Sequence, residues 1–182
     1  MDVTESIKFI MPSLKHKEDA ESFIQEFYEY QSDIYGSGEL DEYIKESNYE
    51  DWLKKLNEDI DVANTKEGRV PGLTYFCIRE SDNKIIGMLN VRLSLNDFLY
   101  REGGHIGYSI RPTERRKGYS NQILKKAILI LDRLNIKDIR ISCRKNDLAS
   151  IKIISKNNGE LESEFYSETY DEEIRMYVIQ RL

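Results

Sequence analysis

A strand, a basic turn and a long amphipathic helix follow one another between His105 and Leu134, and this succession constrains the fold more than any other feature of the chain. His105 to Ile110 has strand character. From Tyr119 to Leu134, the residues Ile123, Leu124, Ala127, Ile128, Leu131 and Leu134 fall on one helical face. A helix with such a stripe directly after a strand predicts a helix packed on a sheet. The turn between them carries four cations in seven residues, Arg111, Arg115, Arg116 and Lys117, and closes with Gly118. Pro112 fixes one backbone angle there. Gly118 allows a conformation or a close approach that a Cβ would block.

The 182-residue chain carries a net charge of −6, so its background composition does not supply this cluster. That balance also argues against a general nucleic-acid binder. Free N–H groups at the helix start, the helix dipole and the nearby cations together describe an anion site, with a nest around Gly118 suited to pyrophosphate. A solvated basic loop closed by a glycine is the plainer alternative. Neither a P-loop nor a dinucleotide-binding glycine pattern is present.

The rest of the chain fits the same layout. Ile7 to Ile10 reads as a short strand. Ala20, Phe23, Ile24 and Phe27 form one helical stripe, and Trp52, Leu53, Leu56 and Ile60 form another, with Ser47 and Asn48 as candidate caps. Gly36-Ser37-Gly38 interrupts the region. Leu73 to Glu80 and Ile85 to Leu95 read as an antiparallel hairpin. Strands are expected at Asp138 to Cys143, Glu160 to Phe165 and Ile174 to Ile179. A helix is expected over Leu148 to Lys156, stopped by Asn157-Asn158-Gly159. The order predicts an α/β fold with a mixed sheet and helices on its faces.

No apolar run approaches the length of a membrane span, and the N-terminal residues lack a signal-peptide pattern. Cys77 and Cys143 are expected to be reduced, buried thiols of a cytoplasmic protein. Neither cysteine stands at metal-ligand spacing from the other or from His16 and His105, so no metal site is expected. Glu18, Asp19, Glu21, Glu26, Glu29, Glu39, Asp41, Glu42, Glu46, Glu50 and Asp51 either form a solvated surface or attract cationic amines.

Arg115-Arg116-Lys117-Gly118-Tyr119-Ser120 resembles the Arg/Gln-x-x-Gly-x-Gly/Ala signature of the GNAT superfamily of N-acetyltransferases. Leu95 to Leu99, Gly103 to Pro112 and Leu148-Ala149-Ser150 resemble one branch of bacterial members, and the likeness runs from about Leu73 to Gly159. It implies one domain over residues 1–182, with a helical substrate-side part (1–70) and an acetyl-CoA-binding core (71–182). The implied fold has a mixed, mostly antiparallel central sheet flanked by helices on both faces. Acetyl-CoA is the implied co-substrate, held by backbone N–H groups of Arg116, Lys117, Gly118, Tyr119 and Ser120, with Arg115 at the first signature position. Its pantetheine arm would lie along Tyr108, Ser109, Ile110 and Arg111, and Asp147 and Ser150 would supply a second contact. Three departures stand out. Ser120 takes the last signature position in place of Gly or Ala, Asp147 replaces the usual asparagine, and Ile154 stands where many relatives carry a proton-donating tyrosine.

The implied reaction is acetyl transfer to a primary amine of a small molecule or peptide by direct attack on the thioester. His105 is the candidate base and Tyr108 the second catalytic candidate, with a packed histidine and a packed tyrosine as the plain alternatives. Asn90, Arg92 and Asn96 are candidate acceptor contacts. A non-catalytic acyl-CoA sensor is the alternative function, and a phosphate-binding regulator a third. The resemblance also admits a homodimer.

Overall fold

The computed structural model describes residues 5–181; residues 1–4 and 182, at the ends of the expected domain, lie outside the described residues. The order is β1 (Ile7–Ile10), α1 (Lys17–Glu29), α2 (Leu40–Glu46), α3 (Tyr49–Asp59), β2 (Gly72–Arg79), β3 (Ile85–Arg92), β4 (Ile106–Ile110), α4 (Tyr119–Arg133), β5 (Asp138–Arg144), α5 (Leu148–Lys156), β6 (Gly159–Ser167) and β7 (Glu172–Gln180). A π-helical turn at Leu99–Gly103 precedes β4.

The strands form two antiparallel sheets, β1-β2-β3-β4 and β5-β7-β6. An isolated bridge between Gly104 and Ile141 joins them. Beyond it β4 and β5 part, and a cleft opens between them. Alternation along β3 feeds two cores. Leu89 and Val91 pack with Ile123, Leu124, Ala127 and Leu131 of α4. Met88 packs with Phe23 and Phe27 of α1, Trp52 of α3 and Phe76 of β2. Full burial of such side chains contributes about 1.5–3 kcal/mol each.

Local rules account for most boundaries. Asn48 caps α3 by accepting from the Asp51 N–H at 2.8 Å. The stop after α5 falls at Asn157-Asn158-Gly159 as expected, with Asn158 taking the left-handed conformation at φ 63°. Gly159 opens β6 so close to Ile154 that an added Cβ would meet its Cγ2 at 2.3 Å.

Candidate active site

The cleft encloses about 620 Å³. Its walls come from the segment after α1 (Tyr30 to Gly36), from β4, from the starts of α4 and α5, and from the outer half of β5. The backbone of β4 supplies its most regular wall. In an antiparallel pair, residues that exchange both bonds with the partner strand alternate with residues whose N–H and C=O point away. Arg92 N–H donates to His105 C=O, and Arg111 N–H donates to Ile86 C=O, both at 2.8 Å. The register then commits Gly107 and Ser109 to β3 and turns the polar groups of Tyr108 and Ile110 toward the cleft.

At the far end of β4 the chain passes through Arg116, at φ 64°, and Gly118, at φ 83°, into α4. No side chain caps this helix and no acidic residue lies in its first turn. Its first N–H groups are therefore left for another acceptor, and Ser120 carries the helix start into the cleft wall. Tyr119 directs its buried side chain away, its hydroxyl reaching Glu5 at 3.3 Å.

The cations of the turn divide their tasks. Arg115 lines the cleft, donates to Ser32 Oγ at 2.7 Å and lies over Phe27. Arg116 is exposed, and Lys117 pairs with Glu114 at 2.8 Å. Arg111 is a correction to the expected cofactor contacts. Its side chain is 2% exposed and lies on the α1 side of the sheet. It donates to Ile85 C=O at 2.8 Å, Asp19 at 2.9 Å and Glu26 at 3.1 Å. It ties α1 to the turn and has no donor to spare for phosphate.

On the α4 and α5 side, Asp147 accepts from Ser150 N–H at 3.0 Å and Ser150 Oγ at 2.6 Å. The carboxylate that departs from the usual asparagine is thus an N-cap, occupied by the helix it starts. Tyr108 lies between the two helix starts. Burial pushes its hydroxyl up to about 12, against the opposing pull of hydrogen bonds with Ser150 and Ser120. Cys143 also lines the cleft, while Cys77 is fully buried; both are free. Ile154 is packed in the core and does not reach the cavity.

His105 does not join Tyr108. It borders a different cavity, among Tyr100, Arg140 and Glu162. Its Nδ1 accepts the Arg140 N–H at 3.0 Å, which places the remaining ring proton on Nε2 and leaves no free lone pair for a substrate proton. Burial, with Arg140 and Arg92 adding to it, lowers its pKa to about 4. The expected catalytic base is therefore a structural histidine. The unfolded chain binds this proton near 6.5 and the folded chain only near 4, so this contribution to stability is present at neutral pH and is lost as pH falls below 6.5. Allowing for screening by the neighbouring open cavity, about 1 kcal/mol should disappear between pH 7 and pH 5. Chemical denaturation at the two pH values should show this loss in the wild type and a flatter response in His105→Gln. Equal pH slopes would remove His105 from the balance.

Two expected acceptor contacts are also displaced. Asn90 donates to Thr74 Oγ1 at 3.0 Å and does not border the cleft. Asn96 accepts from Leu99 N–H at 2.9 Å and donates to Gly68 C=O, fixing the π turn outside the cavity. Arg92 does line the cleft.

The sequence reading missed Asp33, Tyr35, Arg144 and Tyr170. Arg144 pairs with Asp33 and donates to the Tyr35 hydroxyl at 2.9 Å, joining positions more than a hundred residues apart. No local pattern announces such a pairing. None of the acidic residues expected to attract cationic amines borders the cleft. Several are paired, as Asp19 and Glu26 are with Arg111 and Glu39 with Lys55 and Arg69.

The family model described as acetyltransferase (GNAT) domain matches residues 10–160. The chain belongs to the GNAT acetyltransferase family. No curated protein matches it. Among solved structures this GNAT chain is similar to RimL, a ribosomal L7/L12 alpha-N-protein acetyltransferase in complex with coenzyme A. The TM-score is 0.69 at 17% identity, over 99% of this chain and 96% of the other. It is also similar to the Microcin C7 self immunity acetyltransferase MccE in complex with acetyl-CoA and AMP, with a TM-score of 0.66 at 20% identity over 98% and 94%. A third similar structure is spermidine N-acetyltransferase SpeG from Vibrio cholerae, with a TM-score of 0.61 at 10% identity over 96% and 94%. Among the described residues no group of histidine, cysteine or carboxylate side chains could hold a metal, and no helix is long and apolar enough to cross a membrane.

Proposed function

We propose that this GNAT chain transfers the acetyl group of acetyl-CoA to a primary amine. One observation carries the reading: the unpaired edge of β4 and the uncapped start of α4 open into the same cleft. Amides at the α4 start would receive the pyrophosphate, with Arg116 at hand for outlying charge. The pantetheine arm would pair with the free edge of β4. The cleft that parts β4 from β5 leaves room for an acceptor at the acetyl end.

The amine nitrogen attacks the thioester carbon, forming the C–N bond. Negative charge gathers on the carbonyl oxygen, opposite the Ile110 N–H. Collapse breaks the C–S bond and releases the CoA thiolate. The proton the nitrogen gives up passes through the water of the cleft, and Tyr108 hands one to sulfur and is reprotonated in turn. Its high pKa keeps that hydroxyl protonated throughout the neutral range, as a donor requires.

Titration with acetyl-CoA, followed by CoA release measured with and without an amine panel, tests the reading. Binding with no acceptor-dependent release would favour the sensor that Ile154 brings to mind; absence of binding would end both. Tyr108→Phe should lower kcat about 10- to 100-fold while acetyl-CoA affinity stays within threefold. An unchanged kcat would exclude Tyr108 from the reaction.

A further inference from the structure

Beyond the acetyl end, the cleft reaches Arg92, Gly103, Tyr35 and Tyr170. Arg92 ends β3, and its Nη1 donates to the carbonyls of Gly103 at 3.2 Å and Gly104 at 3.0 Å. Its Nη2 lies 3.2 Å from the point a Cβ on Gly107 would occupy, so the bare strand at Gly107 is what lets the guanidinium lie against β4. Among the described residues, no carboxylate forms an ion pair with it. The other arginines withdrawn from solvent, Arg111 and Arg140 among them, each face a carboxylate. Burial lowers the Arg92 pKa, with Tyr170 opposing.

Arg92 is half-buried in the cleft wall, and an arginine so withdrawn from solvent is ordinarily paired with a carboxylate. The cavity as a whole has the same bias. It is lined by three cations, Arg92, Arg115 and Arg144, and two carboxylates, Asp33 and Asp147. Asp147 is already spent on the α5 cap and Asp33 on Arg144.

Spacing narrows the ligand. Gly107 and Ile110 are three residues apart, roughly 10 Å at strand rise. A guanidinium holds a carboxylate at about 3 Å, and an attacking nitrogen stands about 3–3.5 Å from its carbon. About 4 Å then remains between the carboxylate and the amine.

We infer that the acceptor is an amino-acid-like amine, with a carboxylate bound by Arg92 a few bonds from the reacting nitrogen. This rests on the acetyl-transfer reading and specifies its substrate class. Polyamines, which offer no anion, would leave Arg92 unmatched.

The test uses the full chain with acetyl-CoA and a set of free L-amino acids, each beside its carboxamide, together with spermidine. CoA release gives kcat/KM for every compound, and titration of the same preparation with acetyl-CoA reads the co-substrate site separately. The expected result is a preference of at least 30-fold for carboxylate over carboxamide in the best pair. Arg92→Met should collapse that ratio to within threefold, and Arg92→Lys should restore part of it. Equal rates on acid and amide, preferred turnover of spermidine, or no turnover of the set by a protein that binds acetyl-CoA would each overturn the inference. Should Arg92→Met fail to fold, the wild-type ratio decides alone. Failure to bind acetyl-CoA would instead be the failure of the underlying reaction.

Discussion

Gly118→Glu is expected to weaken acetyl-CoA binding at least 100-fold while leaving the chain folded. Gly118 holds φ at 83° immediately before α4, so any side chain there incurs about 1 kcal/mol of backbone strain. A carboxylate near a helix N-terminus recovers up to about 1 kcal/mol through the dipole, and the position is exposed. Stability should therefore change little. Binding should change greatly, because the new charge stands where the diphosphate would sit. Two like charges about 4 Å apart repel by about 4 kcal/mol at an effective dielectric near 20. Calorimetric titration beside thermal unfolding separates the two effects. Gly118→Ala, which adds strain without charge, should keep its Kd within about fivefold of the wild type. A Glu variant that binds acetyl-CoA normally would move the phosphate site elsewhere.

The second large effect concerns stability. Arg111→Met should lower the unfolding free energy by about 3–5 kcal/mol, the usual consequence of removing one member of a buried charge network. Asp19 and Glu26 would lose their cation, and Ile85 C=O would lose its donor. Asp19 is 36% exposed and will be rehydrated, which favours the lower figure. For a chain of this length the midpoint should fall by roughly 10 °C. Acetyl-CoA affinity at low temperature should stay near the wild-type value, because the guanidinium faces α1 and not the cleft. A stability loss below 1 kcal/mol, or a selective loss of binding, would contradict the role given to Arg111.

These two residues show what could be read in advance. The stripe from Ile123 to Leu131, the basic turn and the strand before it placed α4, Gly118 and β4 correctly, because each depends on short-range periodicity or backbone conformation. Side-chain destinations across the sheet were not legible. Arg111 looked like its neighbours in the turn, yet α1 claims it from more than eighty residues away. His105 carried a suitable ring for a base, but its partner is a backbone N–H on β5. The short α2 escaped notice because it buries one side chain, Leu40, and begins at Glu39 in a left-handed conformation that no capping pattern signals. Asp147 stood out only as a departure from the usual asparagine until the start of α5 showed it bonded to Ser150.

Ser109 and Gly36 have a consequence for the architecture of specificity. The Ser109 hydroxyl accepts from Tyr35 N–H at 2.6 Å and donates to Tyr35 C=O at 2.7 Å, so one side chain does the bonding of a missing strand. Next to it, Gly36 meets β4 so tightly that a Cβ would stand 2.1 Å from Gly107 C=O. This wall is riveted to β4, the strand along which the proposed thioester would lie. It would act as a fixed jaw, leaving any adjustment to a different acceptor to the opposite jaw, the β6–β7 connection that carries Tyr170.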